Sequence, residues 1–161
     1  EVFDAVRAVW PADKPMSVRI SASDWVGEAG VTGAEAVEIA AMFAAAGADI
    51  IDVSSGQTDP AEKPIYGRMF QTPFSDRIKN EAGIATMTVG NISDYDQVNG
   101  ILMAGSAVLV CLARMHLADP YLTVHAAVAQ GDEQSEWPAP YKGGRDLLFR
   151  LRERQQEQLR A

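Results

Sequence analysis

The chain has 161 residues, 47% of them hydrophobic and 22% charged, a composition that suits one soluble globular domain with an apolar core. Its 14 basic and 22 acidic residues give a net charge of -8, which disfavours nucleic acid as a partner, and no apolar stretch is long and uncharged enough to span a bilayer. Cys111 is the only cysteine, which excludes an internal disulfide and a cysteine-based metal cluster and favours a reducing, cytoplasmic location.

The first predicted element is an amphipathic helix in the segment EVFDAVRAVWP, residues 1–11. Its apolar residues recur on one helical face: Val2, Phe3, Val6, Val9 and Trp10. No N-cap residue precedes this pattern, so we expect the sequence to begin inside a helix and to be the second half of a larger protein.

Four runs rich in β-branched residues are predicted to be strands. They are MSVRIS (16–21), ADIIDVSS (48–55), GIATMTVG (83–90) and SAVLVCLA (106–113). The segments between them have helical character, and strand and helix alternate at roughly thirty residues per unit, the size of a βαβ unit. This alternation predicts an α/β fold with a parallel sheet.

The predicted helices carry recognisable end signals. Thr32 with Glu35 has the spacing of a capping box, and Gly47 is the stop signal of the same helix. The remaining predicted helices cover residues 72–83, 93–105 and 119–131, followed by a loop over 135–144 and a charged terminal helix over 145–161. We therefore divide the chain into a main domain, residues 1–142, and a helical tail, residues 143–161.

Two parallel architectures compete. A doubly wound sheet predicts a glycine-rich nucleotide loop after the first strand, and RISASDWVGEAG contains none. A barrel gathers polar groups at the carboxyl ends of many strands, and here SASDW, SSGQTDP, GNIS and ARMHLADP follow the four strands. The sequence therefore predicts a TIM-type (β/α)8 barrel, of which four units, the second half, are present.

The same segments resemble a known family. VRISASDW, GADIIDVSSGQ, MTVGNIS and VLVCLARMHLADPY, in this order, are similar to the second half of the Old Yellow Enzyme family of FMN-dependent NAD(P)H:flavin oxidoreductases. The likeness covers roughly residues 1–142. Residues 54–86 are similar in particular to the reductase-like domain of bifunctional salicylyl-CoA or 2-aminobenzoyl-CoA monooxygenases.

The resemblance implies roles for five residues. Arg19, within the first strand, is expected to donate to the pyrimidine edge of FMN, and the alternative from the residues alone is an ion pair with a surface carboxylate such as Asp24. The loops after the last two strands are expected to bind the FMN phosphate: Gly90, Asn91 and Ala113 through backbone N–H groups and Arg114 through its guanidinium. The alternatives are that Gly90 only ends a strand and that Arg114 pairs with Asp119.

Other polar residues give weaker signals. His116 and His125 lack a carboxylate pattern nearby, so no metal site is expected. Ser54 and Ser55 do not form a nucleophile elbow and are expected to satisfy backbone groups or to line the cofactor pocket. Cys111 is expected to be a small buried apolar residue.

The long segment after the second strand contains three candidate substrate contacts, and the C-terminal region contains one weaker candidate. Tyr66, Arg68 and Phe70 contact substrate or cap the barrel mouth; the sequence does not distinguish these roles. Arg145 lies in a region from which some relatives extend an arginine into a neighbouring subunit's active site, which makes it a weak substrate-binding candidate.

By resemblance, the parent enzyme transfers hydride from NAD(P)H through FMN to an enone or an acyl-CoA-like acceptor, and this segment anchors the cofactor. The groups that bind the substrate carbonyl and donate the proton arise, in the family, from the first half of the barrel, so no catalytic residue is assigned here. Expected partners are a small-molecule substrate and either a second copy or the missing barrel half. Two alternatives stay open: a half-barrel assembly module without activity, and another FMN-phosphate-binding barrel dehydrogenase.

Overall fold

The computed structural model describes residues 1–160 and divides the chain into two compact units, Glu1–Leu112 and Ala113–Ala161. The first unit contains, in chain order, α1 (Val2–Val9), β1 (Ser17–Ser21), a 3-10 turn (Gly27–Ala29), α2 (Gly33–Ala45), β2 (Ile50–Ser54), α3 (Thr72–Ala82), β3 (Ala85–Thr88), α4 (Tyr95–Met103) and β4 (Leu109–Val110). The second contains α5 (Arg114–Ala118), α6 (Leu122–Gln130), a 3-10 turn (Ala139–Tyr141) and α7 (Lys142–Arg160). The division after residue 142 made from the sequence concerns the extent of the barrel half and stays a prediction.

The four strands form one parallel sheet in the order β1-β2-β3-β4. The predicted α/β class and parallel sheet are confirmed. Each strand pairs with its neighbour in the chain, so the four strands contain no point at which the order reverses, unlike a doubly wound sheet. Such a consecutive arrangement is consistent with an arc of a (β/α) barrel.

One face of the sheet is packed against α2 and α3. In β2, Ile51 and Val53 are fully buried and share a core cluster with Ala36, Ala40 and Ile78. Burying side chains of this size contributes about 2 kcal/mol each. The residue between them, Asp52, points to the other face because successive strand side chains alternate.

Hydroxyl groups fill the contact between α3 and β3. The hydroxyl of Ser75 donates to Thr86 Oγ1 at 2.8 Å, and Thr72 Oγ1 lies 3.3 Å from Thr88 Oγ1. Ser75, Thr86 and Thr88 are fully buried. Because each buried hydroxyl has a partner, β3 is fixed against α3 without a desolvation penalty.

The predicted helix ends agree with the structure for two helices and differ elsewhere. Thr32 and Glu35 form the capping box of α2, and α3 ends at Gly83 with φ +71°. The prediction for α4 was too long, since the helix begins after the N-cap Asp94 and ends at Met103. The predicted loop over residues 135–144 was wrong in its last three residues, because the chain passes through a proline-started 3-10 turn directly into α7.

Within residues 1–160, no helix combines the length and the hydrophobicity that are needed to cross a bilayer.

Candidate functional site

Arg19 lies on the sheet face opposite the core. Its strand neighbours Val18 and Ile20 pack against the core cluster, whereas 64% of its own side chain is exposed. Its Nε–H donates to Ser54 Oγ at 3.2 Å, and NH1 lies 3.6 Å from Asp52 Oδ2. The guanidinium is therefore held from one side and open on the other.

Asp52 was not identified from the sequence. It stands opposite Arg19 in the register of β1 and β2, and its Oδ1 is buried without a hydrogen-bond partner in residues 1–160. A buried carboxylate oxygen without a donor is costly, and the packing of the fold does not account for it. The sequence did contain a signal for this pair, because Arg19 and Asp52 are each the charged middle residue of a five-residue strand.

The alternative expected for Arg19, an ion pair with a carboxylate, is correct in kind, but the partner is Asp52 and not Asp24. Asp24 instead organises the loop after β1, where it accepts from the Ser21 hydroxyl at 2.9 Å and from the Val31 N–H at 2.8 Å. These hydrogen bonds, above all that from Val31, lower the pKa of Asp24.

A chain of partly buried hydrogen bonds joins the exits of β1, β2 and β3. Trp25 Nε1–H donates to Ser55 Oγ at 3.0 Å, and the Ser55 hydroxyl donates to Gln71 Oε1 at 2.8 Å. Gln71 Nε2–H in turn donates to the carbonyl of Val89 at 2.8 Å. Gln71 is 5% exposed, and it was not predicted from the sequence because no motif marks a glutamine whose partners are distant in the chain.

The loop that follows β3 is shaped around Gly90. Gly90 has φ +115° and Asn91 has φ +51°, conformations that few side chains tolerate. A Cβ at position 90 would lie 2.5 Å from Gln71 Nε2 and 2.9 Å from Phe70 Cε1. Within the first unit, all of which the structure describes, neither N–H of this pair has a hydrogen-bond acceptor.

These features fit the phosphate of a flavin mononucleotide. Free backbone N–H groups in turn conformations form concavities that bind anions, and a residue without Cβ lets the backbone approach the ligand. The interpretation that Gly90 merely ends a strand leaves the two free N–H groups unexplained.

In the second unit, Ala113 is the N-cap residue of α5 and Arg114 is its first residue, as expected. The alternative that Arg114 pairs with Asp119 is wrong: Arg114 makes no ion pair within residues 1–160, and Asp119 Oδ2 lies 2.9 Å from His125 Nδ1. This contact lowers the pKa of Asp119. It also corrects the expectation that His125 lacks a carboxylate nearby.

Arg145 has only local contacts in the second unit. It donates to the carbonyl of Glu133 at 2.8 Å and to Asp146 at 3.2 Å, and its guanidinium lies 4.9 Å from the centre of the Phe149 ring. The structure gives no support to its substrate role, which stays a prediction.

Smaller predictions concern residues around the strand exits. Ser54 donates to the carbonyl of Ile20 at 3.0 Å, which confirms the expectation that it satisfies a backbone group. Cys111 Sγ lies 3.4 Å from Met87 Sδ, and partial burial raises the pKa of its thiol. Tyr66 and Phe70 pack edge to face with centroids 5.2 Å apart.

The sheet order and the polar strand exits define an α/β protein with a parallel sheet and two unpaired backbone N–H groups at the carboxyl edge of that sheet. The chain belongs to the NADH:flavin oxidoreductase / NADH oxidase family, whose model matches residues 1–133, and this confirms the resemblance drawn from the motifs.

Relatives are NADPH dehydrogenases by name. The chain is similar to those of Clostridium acetobutylicum (39% identical over 142 residues, 88% of this chain and 41% of the relative), Geobacillus sp. strain WCH70 (46% over 131 residues, 81% and 37%) and Geobacillus thermodenitrificans (42% over 144 residues, 89% and 41%). The chain spans about two fifths of the length of these relatives.

Proposed function

We propose that this chain is the FMN-binding part of an NAD(P)H-dependent flavin oxidoreductase. The family assignment supports the cofactor and the reaction class. The observation that carries the proposal is the loop at Gly90 and Asn91, with two free N–H groups and no room for a Cβ.

The phosphate of FMN binds to the N–H groups of Gly90 and Asn91, to the N–H of Ala113 and to the guanidinium of Arg114. Arg114 supports this assignment because it has no ion pair in residues 1–160 and because a guanidinium matches phosphate geometry. Ala113 follows β4 closely in the chain, at the position of a strand-exit loop.

Arg19 donates to the pyrimidine edge of the flavin ring. Ser54 and Asp52 hold its Nε and one terminal nitrogen, and the exposed remainder of the guanidinium is free to meet a ligand. A fixed cation at this edge stabilises the negative charge that the ring gains on reduction. The bound flavin would supply hydride chemistry, accepting from NAD(P)H and delivering to a second substrate.

The second substrate is an enone or an aromatic acyl-CoA-like acceptor. This part of the proposal is supported by the similarity of residues 54–86 to the reductase-like domain of acyl-CoA monooxygenases, and the names of the relatives found do not address it. A cytoplasmic location is supported by the single cysteine.

The four strands form half of a (β/α)8 barrel, and the segment works with a second barrel half or with another copy of itself. Two observations support this: the longer chains of the relatives, and the exposure of Arg19 on the open sheet face. A sheet face of this kind is covered in a complete barrel.

The test is a pair of titrations of the chain, with FMN and with riboflavin, which lacks the phosphate. We expect FMN to bind at least about tenfold more tightly, since charge-assisted hydrogen bonds contribute that much or more. Arg114→Ala should remove most of this difference, whereas the control Arg150→Ala, an exposed arginine that donates only to a carbonyl of its own helix, should keep it. Equal affinities for FMN and riboflavin would contradict the phosphate site, and no binding of either would favour an assembly module.

A further inference from the structure

The segment of residues 69–71 holds the carbonyls on both sides of Gly90. Gln71 Nε2–H donates to Val89 O at 2.8 Å, and the N–H of Met69 donates to Asn91 O at 3.2 Å. The loop that offers two free N–H groups is therefore fixed by two hydrogen bonds from one short segment.

The orientation of the Gln71 amide follows from its partners. The indole of Trp25 can only donate, so the Ser55 hydroxyl accepts from it and uses its single hydrogen on Gln71 Oε1. The amide NH2 must then face the Val89 carbonyl, which can only accept. Each polar atom of this relay, Trp25–Ser55–Gln71–Val89, has one consistent role.

Gln71 does not use its side chain for its own helix. It is the N-cap residue of α3, a position at which side chains commonly cap the helix, yet it makes no side-chain cap bond. Its amide instead forms hydrogen bonds to the neighbouring loops, and the side chain is almost completely buried. The position therefore serves the β3 exit loop in place of the local helix.

Peptide geometry links the hydrogen bond between Gln71 and Val89 O to the direction of the Gly90 N–H. No peptide bond in the described residues is cis, and in a trans peptide the C=O of one residue and the N–H of the next point in opposite directions. A hydrogen bond from Gln71 to Val89 O consequently turns the N–H of Gly90 away from Gln71.

We propose that Gln71 is a positioning residue that sets the direction of the Gly90 N–H towards the phosphate of FMN. The inference rests on the proposed FMN site and adds a residue that touches neither the phosphate nor the flavin ring. It predicts that substitutions at Gln71 weaken the binding of the FMN phosphate and leave the binding of the rest of the cofactor unchanged.

The experiment compares FMN and riboflavin affinities of the wild type, Gln71→Met and the matched control Ser75→Ala. Ser75 is also buried on α3 and also bonded to β3, but its partners are Thr86 and the Ser106 carbonyl, away from the loop. We expect Gln71→Met to weaken FMN binding about tenfold and riboflavin binding less than about twofold, since one positioned hydrogen bond is lost. Ser75→Ala should lower the melting temperature without changing the FMN-to-riboflavin ratio.

The outcomes separate this inference from the proposed function. If the wild type prefers FMN to riboflavin and Gln71→Met keeps that preference, the positioning role is overturned and the FMN site stands. If the wild type shows no preference, both are overturned. Should Gln71→Met unfold at the assay temperature, Ser55→Ala carries the test, because it removes only the hydroxyl that orients the amide; a ratio lowered roughly threefold supports the role and an unchanged ratio overturns it.

Discussion

Replacing Gly90 with alanine tests the shape of the β3 exit loop directly. The new Cβ would lie 2.5 Å from Gln71 Nε2 and 2.9 Å from Phe70 Cε1, at a residue whose φ is +115°. Both neighbours lie within a contact distance that real Cβ atoms do not show. The variant must therefore move the Gln71 amide, the loop backbone or both.

The loss of folding free energy in Gly90→Ala has two parts. Holding an alanine at positive φ costs about 1–2 kcal/mol. Displacing the amide of Gln71 from Val89 O leaves buried polar groups unpaired, at about 1–3 kcal/mol. The sum, about 2–5 kcal/mol, corresponds to a decrease in melting temperature of roughly 4–20 °C for a chain of this size.

Two other glycines provide controls for the separate parts. Gly83 has φ +71°, but no atom lies within 4 Å of the position that a Cβ would take there, so Gly83→Ala reports backbone strain alone. Gly100 lies inside α4, also with nothing within 4 Å, so Gly100→Ala should leave the melting temperature unchanged or raise it slightly. Thermal unfolding followed by circular dichroism should rank stability as Gly90→Ala below Gly83→Ala, with Gly100→Ala at or above the wild type.

Two outcomes of this stability ranking would contradict the reasoning. A Gly90→Ala variant that melts with Gly83→Ala would show that the amide of Gln71 moves aside without cost, and the steric part of the reasoning would be wrong. A variant that melts with the wild type would contradict the backbone part as well.

Three further predictions concern charged groups. Arg19→Ala should retain FMN and lower its reduction potential, because a cation beside the reduced ring is lost; an unchanged potential in spectroelectrochemical titration would contradict the assigned role. Asp52→Asn should shift the potential upward, opposite to Arg19→Ala, with little loss of melting temperature, since one carboxylate oxygen has no partner to lose. The hydrogen bond from Val31 lowers the pKa of Asp24 below its usual value of 3.8, so the stability it adds is complete above that pH and is lost as the pH falls through the lowered folded-state pKa. The stability difference between the wild type and Asp24→Asn in urea should accordingly be constant near neutrality and shrink below pH 3.8, and a difference that persists at lower pH would contradict this account.

Features that depend only on residues close together in the chain could be predicted from the sequence. The capping box of Thr32 and Glu35 and the glycine that ends α3 depend on contacts within one helical turn, and the structure has both. The buried alternation of Ile51 and Val53 depends only on the period of a strand. These signals fix helices, strands and their order, which is why the α/β class followed from them.

Partners across the sheet could not be predicted in the same way. From the residues alone, the alternative partner suggested for Arg19 was Asp24, which is close in the chain, but the sheet register brings Arg19 to Asp52 on another strand. Gln71 was missed for the same reason, since its partners Ser55 and Val89 lie in two other loops. Such contacts are set by how the strands align, and a single sequence does not state the alignment.

The residues that break local rules lie on the open face of the sheet, in the middle of β2, and at the carboxyl ends of its strands. Asp52 has a buried oxygen without a donor, Gln71 occupies an N-cap without capping, and Gly90 has a conformation that a side chain would oppose. None of these choices improves the packing of the helix-facing side, where the apolar cluster and paired hydroxyls are complete without them. Because local violations occur where function requires them, their position on the open face and at the carboxyl ends of the strands argues for a ligand site on this side of the sheet independently of family membership.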